Sequence, residues 1–268
     1  YAMLSGASIG ALFMGGMVPG VLMSFAQMVY IAYISNKRQY PMGNPFVLMQ
    51  FLVATLKAFP ALLTPVILLG GIYTGVVTPT EAGALAAFYA IVIAFLVYRS
   101  MGWKELAEVA VDTAKTTGVP SLIVGASFTF SFIVAKEQVP QAIGAFLLDL
   151  TQNKYLLLLI INIVFLILGM AIDTSTIMLV FIPMVLPLVK SLGIDLTHFG
   201  VMIVLNMMIG LTTPPFGVLL FIVSGITKIP LHLIIKDTLP MIVVLIIVLF
   251  LITYIPEIVL FLPDYFYN

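Results

Sequence analysis

Long runs of apolar residues dominate the chain. Charged residues are absent from residues 1–36, 58–80, 82–98, 116–135 and 238–256. A helix needs about 20 apolar residues, or about 17 at the shortest, to cross the hydrocarbon core of a bilayer. Because each run is near or above that length, each predicts a transmembrane helix. The predicted spans cover residues 8–34, 60–77, 82–98, 118–135 and 238–256.

The composition agrees with this pattern. Hydrophobic residues make up 62% of the chain and charged residues 8%, and the mean hydropathy is +1.23. Ordinary globular domains contain about 25% charged residues. The net charge is zero, which gives no basic surface for nucleic acid, and the absence of cysteine excludes disulfides and thiolate metal sites. The expected fold class is an all-α polytopic membrane protein.

Two further segments carry polar groups at a spacing typical of helices that lie on a membrane surface. Residues 46–59 include Gln50 and Lys57, and residues 103–117 carry charges at positions 104, 105, 108, 112 and 115. Both segments are therefore predicted to be interfacial helices rather than crossings.

Two interruptions inside apolar spans are the main functional signal. Glycine, an acid and hydroxyls interrupt the run 155–190 at residues 169–176, and glycine, threonines and two prolines interrupt the run 199–227 at 210–217. Non-helical backbone at membrane depth is tolerated only where it is buried in protein or lines a wet cavity. Broken apolar segments of this kind point to a transporter's binding site. The run 155–190 fits a re-entrant hairpin or a single kinked span.

Counting basic residues separates these two alternatives. With a hairpin at 155–190, eight basic residues share one side of the membrane and three lie on the other. The eight are Lys37, Arg38, Lys57, Arg99, Lys104, Lys115, Lys228 and Lys236, and the three are Lys136, Lys154 and Lys190. A single crossing puts Lys228 and Lys236 on the other side and weakens this bias. The positive-inside rule therefore favours the hairpin, with the larger set cytoplasmic and the C-terminus periplasmic.

Asp173 is the only acid well inside an apolar span. An ionisable group at that depth is costly and usually faces a cavity, an ion or a partner. Asp173 could ligate or support a cation at the hairpin tip, or it could simply cap the outgoing helix. The two roles are compatible.

The second interruption predicts free oxygen ligands. Pro214 and Pro215 remove two backbone donors and free carbonyls near Ile209 and Gly210. With the hydroxyls of Thr212 and Thr213, these carbonyls suit Na⁺, and the alternative is a kink satisfied by neighbouring helices. Asn206 lies one turn before Gly210, where it could line the site or form an interhelical hydrogen bond.

Five stretches resemble the large membrane subunit of the tripartite ATP-independent periplasmic (TRAP) transporters. They are LFMGGMVPG (12–20), GGIYTGVVTPTEA (70–82), GMAID (169–173), GIDLTHFG (193–200) and IGLTTPPFG (209–217). The resemblance covers nearly the whole chain and corresponds to the later portion of that subunit. An upstream hairpin and an upstream break are therefore expected before Tyr1.

The resemblance implies an inverted-repeat, elevator-type secondary transporter in the bacterial inner membrane. It also implies a small four-helix membrane subunit and a periplasmic protein that delivers an organic acid, such as sialic acid or a C4-dicarboxylate. Residues 1–117 would then form a scaffold region. Residues 118–268 would form the second-repeat transport region, with the hairpin 155–190, the broken helix 199–227 and the span 238–256.

These observations together predict a sodium-coupled importer rather than an enzyme, because no nucleophile, metal or phosphate-binding motif appears. The predicted sodium-binding residues are Gly169, Asp173, Gly210, Thr212 and Thr213. The predicted substrate-lining residues are Ser175, Thr176, Asn206 and Pro214. The substrate carboxylate would be attracted by half-helix N-termini and bound sodium. A stand-alone sodium/dicarboxylate carrier, a channel and an intramembrane enzyme are the alternatives.

Overall fold

The computed structural model describes residues 1–40, 46–74, 76–151 and 153–267, and within these ranges the chain is helical without a β-strand. The helices, numbered in chain order, are α1 (Ala2–Ser5), α2 (Ile9–Arg38), α3 (Leu48–Tyr73), α4 (Pro79–Val92) continued by a π-helical turn (Ile93–Val97), α5 (Trp103–Lys136), α6 (Val139–Leu150), α7 (Lys154–Ala171), α8 (Thr174–Val180), α9 (Ile182–Ser191), α10 (Leu196–Thr212), α11 (Val218–Thr227), α12 (Leu231–Tyr254) and α13 (Glu257–Tyr267).

The prediction of an all-α polytopic membrane protein is confirmed. Among the described residues, five helical segments are long and apolar enough to cross a membrane, and a bent pair of helices makes up to six. The five are α2, α3, α4 with its π-helical turn, α7 and α12. The bent pair is α8 and α9, which meet at an angle of 56°.

Two predicted helix boundaries are wrong. The segments predicted as an interfacial helix at 46–59 and a span from residue 60 form one helix, α3. Pro60 and Pro65 lie inside this helix, and the carbonyl of Pro60 accepts a hydrogen bond from the Tyr89 hydroxyl of α4 at 2.8 Å. The segments 103–117 and 118–135 likewise form one 34-residue helix, α5. A change of polarity along the chain therefore does not by itself end a helix.

The chain divides into two compact units, Tyr1–Gln39 with Pro120–Asn268, and Tyr40–Val119. The first unit is built around α10, and α7, α9, α2 and α12 pack about it. Phe199, Met202, Ile203 and Met207 of α10 are fully buried. Helix α2 therefore packs with the later helices of the chain. The functional division into a scaffold (residues 1–117) and a transport region (residues 118–268) stays a prediction.

The second unit is organised by the antiparallel neighbours α3 and α4. Helix α4 begins with a capping box, in which the Thr78 hydroxyl accepts from the Glu81 amide at 3.3 Å and the Glu81 carboxylate accepts from the Thr78 amide at 2.8 Å. Pro79 occupies the first helical turn, where its missing N–H costs nothing.

Candidate functional site

The two interruptions lie against each other. A Cβ atom placed on Gly210 would lie 2.8 Å from both the Cα and the carbonyl carbon of Gly169. A Cβ atom placed on Gly169 would lie 3.3 Å from the Gly210 Cα and from the carbonyl oxygen of Met207. The backbones of α7 and α10 are therefore in direct contact at these glycines, and this contact brings the end of α7 to the end of α10.

The direction of the two helices identifies the hairpin. Asn162 bonds to Asn206, and further along both helices Gly169 contacts Gly210. Both helices advance in the same direction between these two contacts, so α7 and α10 are parallel. Only residues 192–195 connect α9 to α10. The chain must therefore return through α8 and α9 to the end at which α7 begins, as the hairpin prediction for 155–190 requires.

The first arm of this hairpin, α7, is a full-length helix. Helix α7 has 18 residues, which corresponds to about 27 Å. It ends at Ala171, and the Ile172 amide makes the last bond of the helix, to the carbonyl of Leu168. The carbonyls of Gly169 and of the residues after it lie at the end of the helix, where no further helical N–H group donates to them. They are available to other partners at the hairpin tip.

Asp173 caps the outgoing helix α8. Its carboxylate accepts a hydrogen bond from the Ser175 amide at 2.8 Å. The side chains of Asp173 and Ser175 are exposed, whereas Thr176 is half-buried. The capping role predicted for Asp173 is thus present, and it leaves the second carboxylate oxygen open to a cation. A role of Asp173 in ion binding stays a prediction.

The second interruption begins just after the end of α10. The hydroxyls of Thr212 and Thr213 both donate to the Ile209 carbonyl, at 2.8 Å and 2.7 Å. The Thr213 amide donates a hydrogen bond to the carbonyl oxygen of Gly210 at 2.9 Å. Because each hydroxyl gives its hydrogen to the helix, its oxygen lone pairs face outward as potential ligands. The carbonyls at this break are therefore partly satisfied, while the threonine oxygens remain able to accept.

The loop that follows carries Pro214. Pro214 is half-buried, and Pro214 and Pro215 are joined by a cis peptide bond. Gly217 has a φ of 36°, a left-handed conformation that glycine adopts without strain, and it begins α11. The loop 213–217 therefore leaves non-helical backbone between α10 and α11.

Asn206 belongs to a buried polar cluster. Its Nδ2 donates to the carbonyl oxygen of Asn162 at 2.8 Å and to the Oδ1 of Asn162 at 2.7 Å. The Nδ2 of Asn162 donates to the Thr253 hydroxyl at 2.9 Å. Asn206 has no exposed surface in this structure. The geometry corresponds to the interhelical hydrogen bond rather than to the substrate-lining role predicted for this residue.

Three polar groups near the site were not predicted as functional from the sequence. Asn162 and Thr253 complete the cluster around Asn206, and the Thr174 hydroxyl at the hairpin tip is buried without a hydrogen-bond partner among the described residues. A signal for Asn162 was present, because it is the single polar residue in the run from Leu156 to Leu168.

The available ligands at the two breaks are oxygens. No group of three or more His, Cys, Asp or Glu residues lies close enough to hold a metal ion within the portion of the chain that the structure describes. His198 is buried near the start of α10, where its Nε2 bonds to the carbonyl of Ile252 at 2.9 Å. Backbone carbonyls, hydroxyls and one carboxylate suit a hard monovalent cation better than a transition metal.

Comparison with known proteins identifies the family of the chain. The family described as "Tripartite ATP-independent periplasmic transporter, DctM component" matches residues 1–258. The chain belongs to this family. The resemblance drawn from the sequence motifs is thereby confirmed. The two breaks in α7–α8 and α10–α11 are thus features of a TRAP large permease chain.

Similar TRAP permeases are named for different substrates. The chain is 41% identical over 267 residues to the sialic acid TRAP transporter large permease protein SiaM of Vibrio cholerae, a match that covers 99% of this chain and 62% of the relative. It is 38% identical over 265 residues to the C4-dicarboxylate TRAP transporter large permease protein DctM of Pseudomonas aeruginosa, with coverage of 99% and 62%. It is 39% identical over 262 residues to the isethionate TRAP transporter permease protein DctMQ of Oleidesulfovibrio alaskensis, with coverage of 97% and 41%. The chain thus spans about three fifths of the length of the first two relatives.

Proposed function

We propose that this chain contributes to a sodium-coupled importer of an organic anion. Its membership of the TRAP large permease family and its multi-pass helical fold support transport. The observation that carries sodium coupling is the backbone contact between Gly169 and Gly210, which brings two interrupted helices and their oxygen atoms to one place. Interrupted helices that meet in this way are typical of ion and substrate sites in secondary transporters.

Sodium would be held between the two breaks. The carbonyls of Gly169 and Gly210 and the hydroxyl oxygens of Thr212 and Thr213 supply neutral ligands, and Asp173 supplies a negative charge. These donors fit Na⁺, which takes oxygen ligands. The Thr174 hydroxyl, buried without a partner among the described residues, is a further candidate ligand at the tip.

The transported solute would be a small organic anion. The relatives are named for sialic acid, C4-dicarboxylates and isethionate, which all carry an acidic group. Ser175, Thr176 and Pro214 are at least partly accessible beside the breaks and would contact the solute. Helix α8 has only seven residues, so we attribute the attraction of the anion to bound sodium rather than to the dipole of that helix.

Coupling follows from this arrangement. An ion that contacts both breaks favours the conformation in which the breaks lie together, and the solute binds to that same conformation. Each ligand then raises the affinity for the other by the same factor. A protein with this coupling accumulates solute at the expense of the sodium gradient.

The same proposal includes location and partners. The transporter would lie in the bacterial inner membrane with the C-terminal end of this chain in the periplasm. A small four-helix membrane subunit would accompany it, and a periplasmic protein would deliver the anion. The family description, which names periplasmic transporters, supports these partners.

The test is uptake into proteoliposomes by the full transporter that contains this chain. Sialic acid and C4-dicarboxylates are offered with and without an inward sodium gradient, in the presence and absence of the binding protein. We expect uptake to need both sodium and the binding protein. Uptake that does not depend on sodium contradicts the proposal. Sodium-driven uptake without the binding protein favours a stand-alone carrier.

A matched pair of threonines tests the site. Thr213→Ala removes a proposed sodium ligand, whereas Thr227→Ala removes a hydroxyl that makes the same type of bond, to Val223 at 2.7 Å, on exposed α11. We expect the sodium concentration for half-maximal uptake to rise in Thr213→Ala alone. Equal sodium responses in both variants would refute the assignment.

A further inference from the structure

The amide pair of Asn162 and Asn206 lies on the same seam as the glycine contact. Asn206 precedes Gly210 by four residues, or about one helical turn, and Asn162 precedes Gly169 by seven residues, or about two turns. Residues at these intervals share one face of a helix. Both asparagines are buried, with exposed fractions of 2% for Asn162 and 0% for Asn206. The polar pair and the glycine pair therefore mark two points of one helix–helix interface.

The rest of this interface does not specify a register. It consists of aliphatic, aromatic and methionine side chains, among them Ile161, Phe165, Met202 and Ile203. Flexible apolar side chains can repack after a small slide of one helix along the other. An amide pair cannot repack in this way. A slide of one turn leaves buried donors and acceptors unpaired, at a cost of about 1–3 kcal/mol for each group.

Asn206 also buries one polar atom at a cost to stability. Its Oδ1 is buried and has no hydrogen-bond partner among the described residues. A leucine of similar size at this position would avoid the cost of burying that oxygen. A buried polar pair of this kind is best known for setting the register between helices.

We propose that Asn162 and Asn206 are positioning residues for the sodium site. Their bonds set the register of α7 against α10, so that Gly169 meets Gly210 and the oxygens of both breaks face one another. They act through the helices and do not contact the ion. This inference rests on the proposed sodium-coupled function and deepens it.

The main experiment measures sodium dependence in the full transporter. Asn206→Leu removes one amide, and the double variant Asn162→Leu with Asn206→Leu removes both, so that no unpaired amide is left behind. Val259→Ala is the control, because Val259 is a fully buried core residue on α13, away from this seam. We expect both leucine variants to raise the half-saturating sodium concentration by about tenfold, as a register penalty in this range implies. Maximal uptake at high sodium should be largely kept.

The control separates positioning from general stability. A residue that only stabilises the fold lowers the amount of active protein and the maximal rate, without a change in the half-saturating sodium concentration. We expect that behaviour from Val259→Ala. A lower maximal rate with an unchanged half-saturating sodium concentration in the leucine variants overturns the positioning role. The absence of both leucine variants from the membrane, while Val259→Ala accumulates there, overturns it as well.

A distance measurement provides a second readout. The chain has no cysteine, so single cysteines at the exposed positions Ile167 of α7 and Met208 of α10 can carry spin labels. We expect the label-to-label distance distribution to be broader in Asn206→Leu than in the parent and to narrow when sodium is added. An unchanged distribution overturns the inference. If the parent transporter ignores sodium, the proposed function fails as well; if the parent responds and Asn206→Leu matches it, only this inference fails.

Discussion

Gly210 on α10 packs against Gly169 on α7 so closely that a methyl group on Gly210 would lie 2.8 Å from the Gly169 backbone. Backbone cannot yield as a flexible side chain can. Any larger residue at position 210 must push the two helices apart and separate the breaks. The geometry of the candidate site therefore depends on the absence of a side chain at Gly210.

Gly210→Ala is expected to impair sodium-dependent uptake. Forcing an extra methyl group into a close-packed contact costs about 1–3 kcal/mol, so the half-saturating sodium concentration should rise about fivefold or more. Gly225→Ala on α11 is the control, because a Cβ atom there has no neighbour within 4 Å. Uptake kinetics in proteoliposomes provide the measurement. Equal kinetics in the two variants would disprove the structural account of the contact.

Asp173 allows capping and ion binding to be separated. Asp173→Asn keeps an oxygen that can accept from the Ser175 amide but removes the negative charge, whereas Asp173→Ala removes both. If the charge supports sodium, Asp173→Asn raises the half-saturating sodium concentration by roughly five- to tenfold. Asp195→Asn is the matched control, because Asp195 caps α10 through bonds of 2.8 Å and 2.9 Å to the amides of Thr197 and His198. Normal sodium dependence in Asp173→Asn would leave capping as the only role.

The capping box of α4 should affect stability and not ion binding. Thr78→Ala removes the hydroxyl that accepts from the Glu81 amide. The expected loss is about 1 kcal/mol of stability, which is typical of an N-cap deletion. A thermal-shift measurement in detergent should show a lower melting temperature, while the sodium response stays at the parent value. A changed sodium response would show that this turn contributes to the ion site.

Orientation can be tested with introduced cysteines. Tyr265 on α13 and Trp103 at the start of α5 are strongly exposed, with exposed fractions of 77% and 82%. The excess of basic residues predicts that Tyr265→Cys reacts with a membrane-impermeant maleimide added to the periplasmic side. Trp103→Cys should react only after the membrane is opened. The reverse pattern would invert the predicted topology.

The spans and the breaks could be predicted because their causes are local. The length of an apolar run predicts a membrane helix, and a proline pair, or a glycine followed four residues later by an acid, predicts its interruption. The helix ends at Ala171 and Thr212 follow those signals. The capping box of α4 is equally local, because all of its groups lie within four consecutive residues.

Other features were missed because their causes are not local. Helix α3 continues through Pro60 and Pro65, because the surroundings of a membrane helix decide whether a proline ends it, and those surroundings come from other parts of the structure. An interhelical hydrogen bond was one of the two roles considered for Asn206, but its partner Asn162 and the neighbouring Thr253 come from two other helices, and nothing in their segments identifies them. The burial of Asn206 likewise could not be predicted from the sequence, because it results from the packing of several helices.

The sequence by itself determined that this chain is a helical membrane protein of the TRAP large permease family, and it located both helix interruptions. Hydrophobicity, capping and proline chemistry act within a few residues, so they can be read along the chain. Only the tertiary structure decided that the interruptions meet at Gly169 and Gly210 and that an asparagine pair lies on the same seam. Helix register depends on side chains far apart in sequence, and their contacts exist only once the helices are packed.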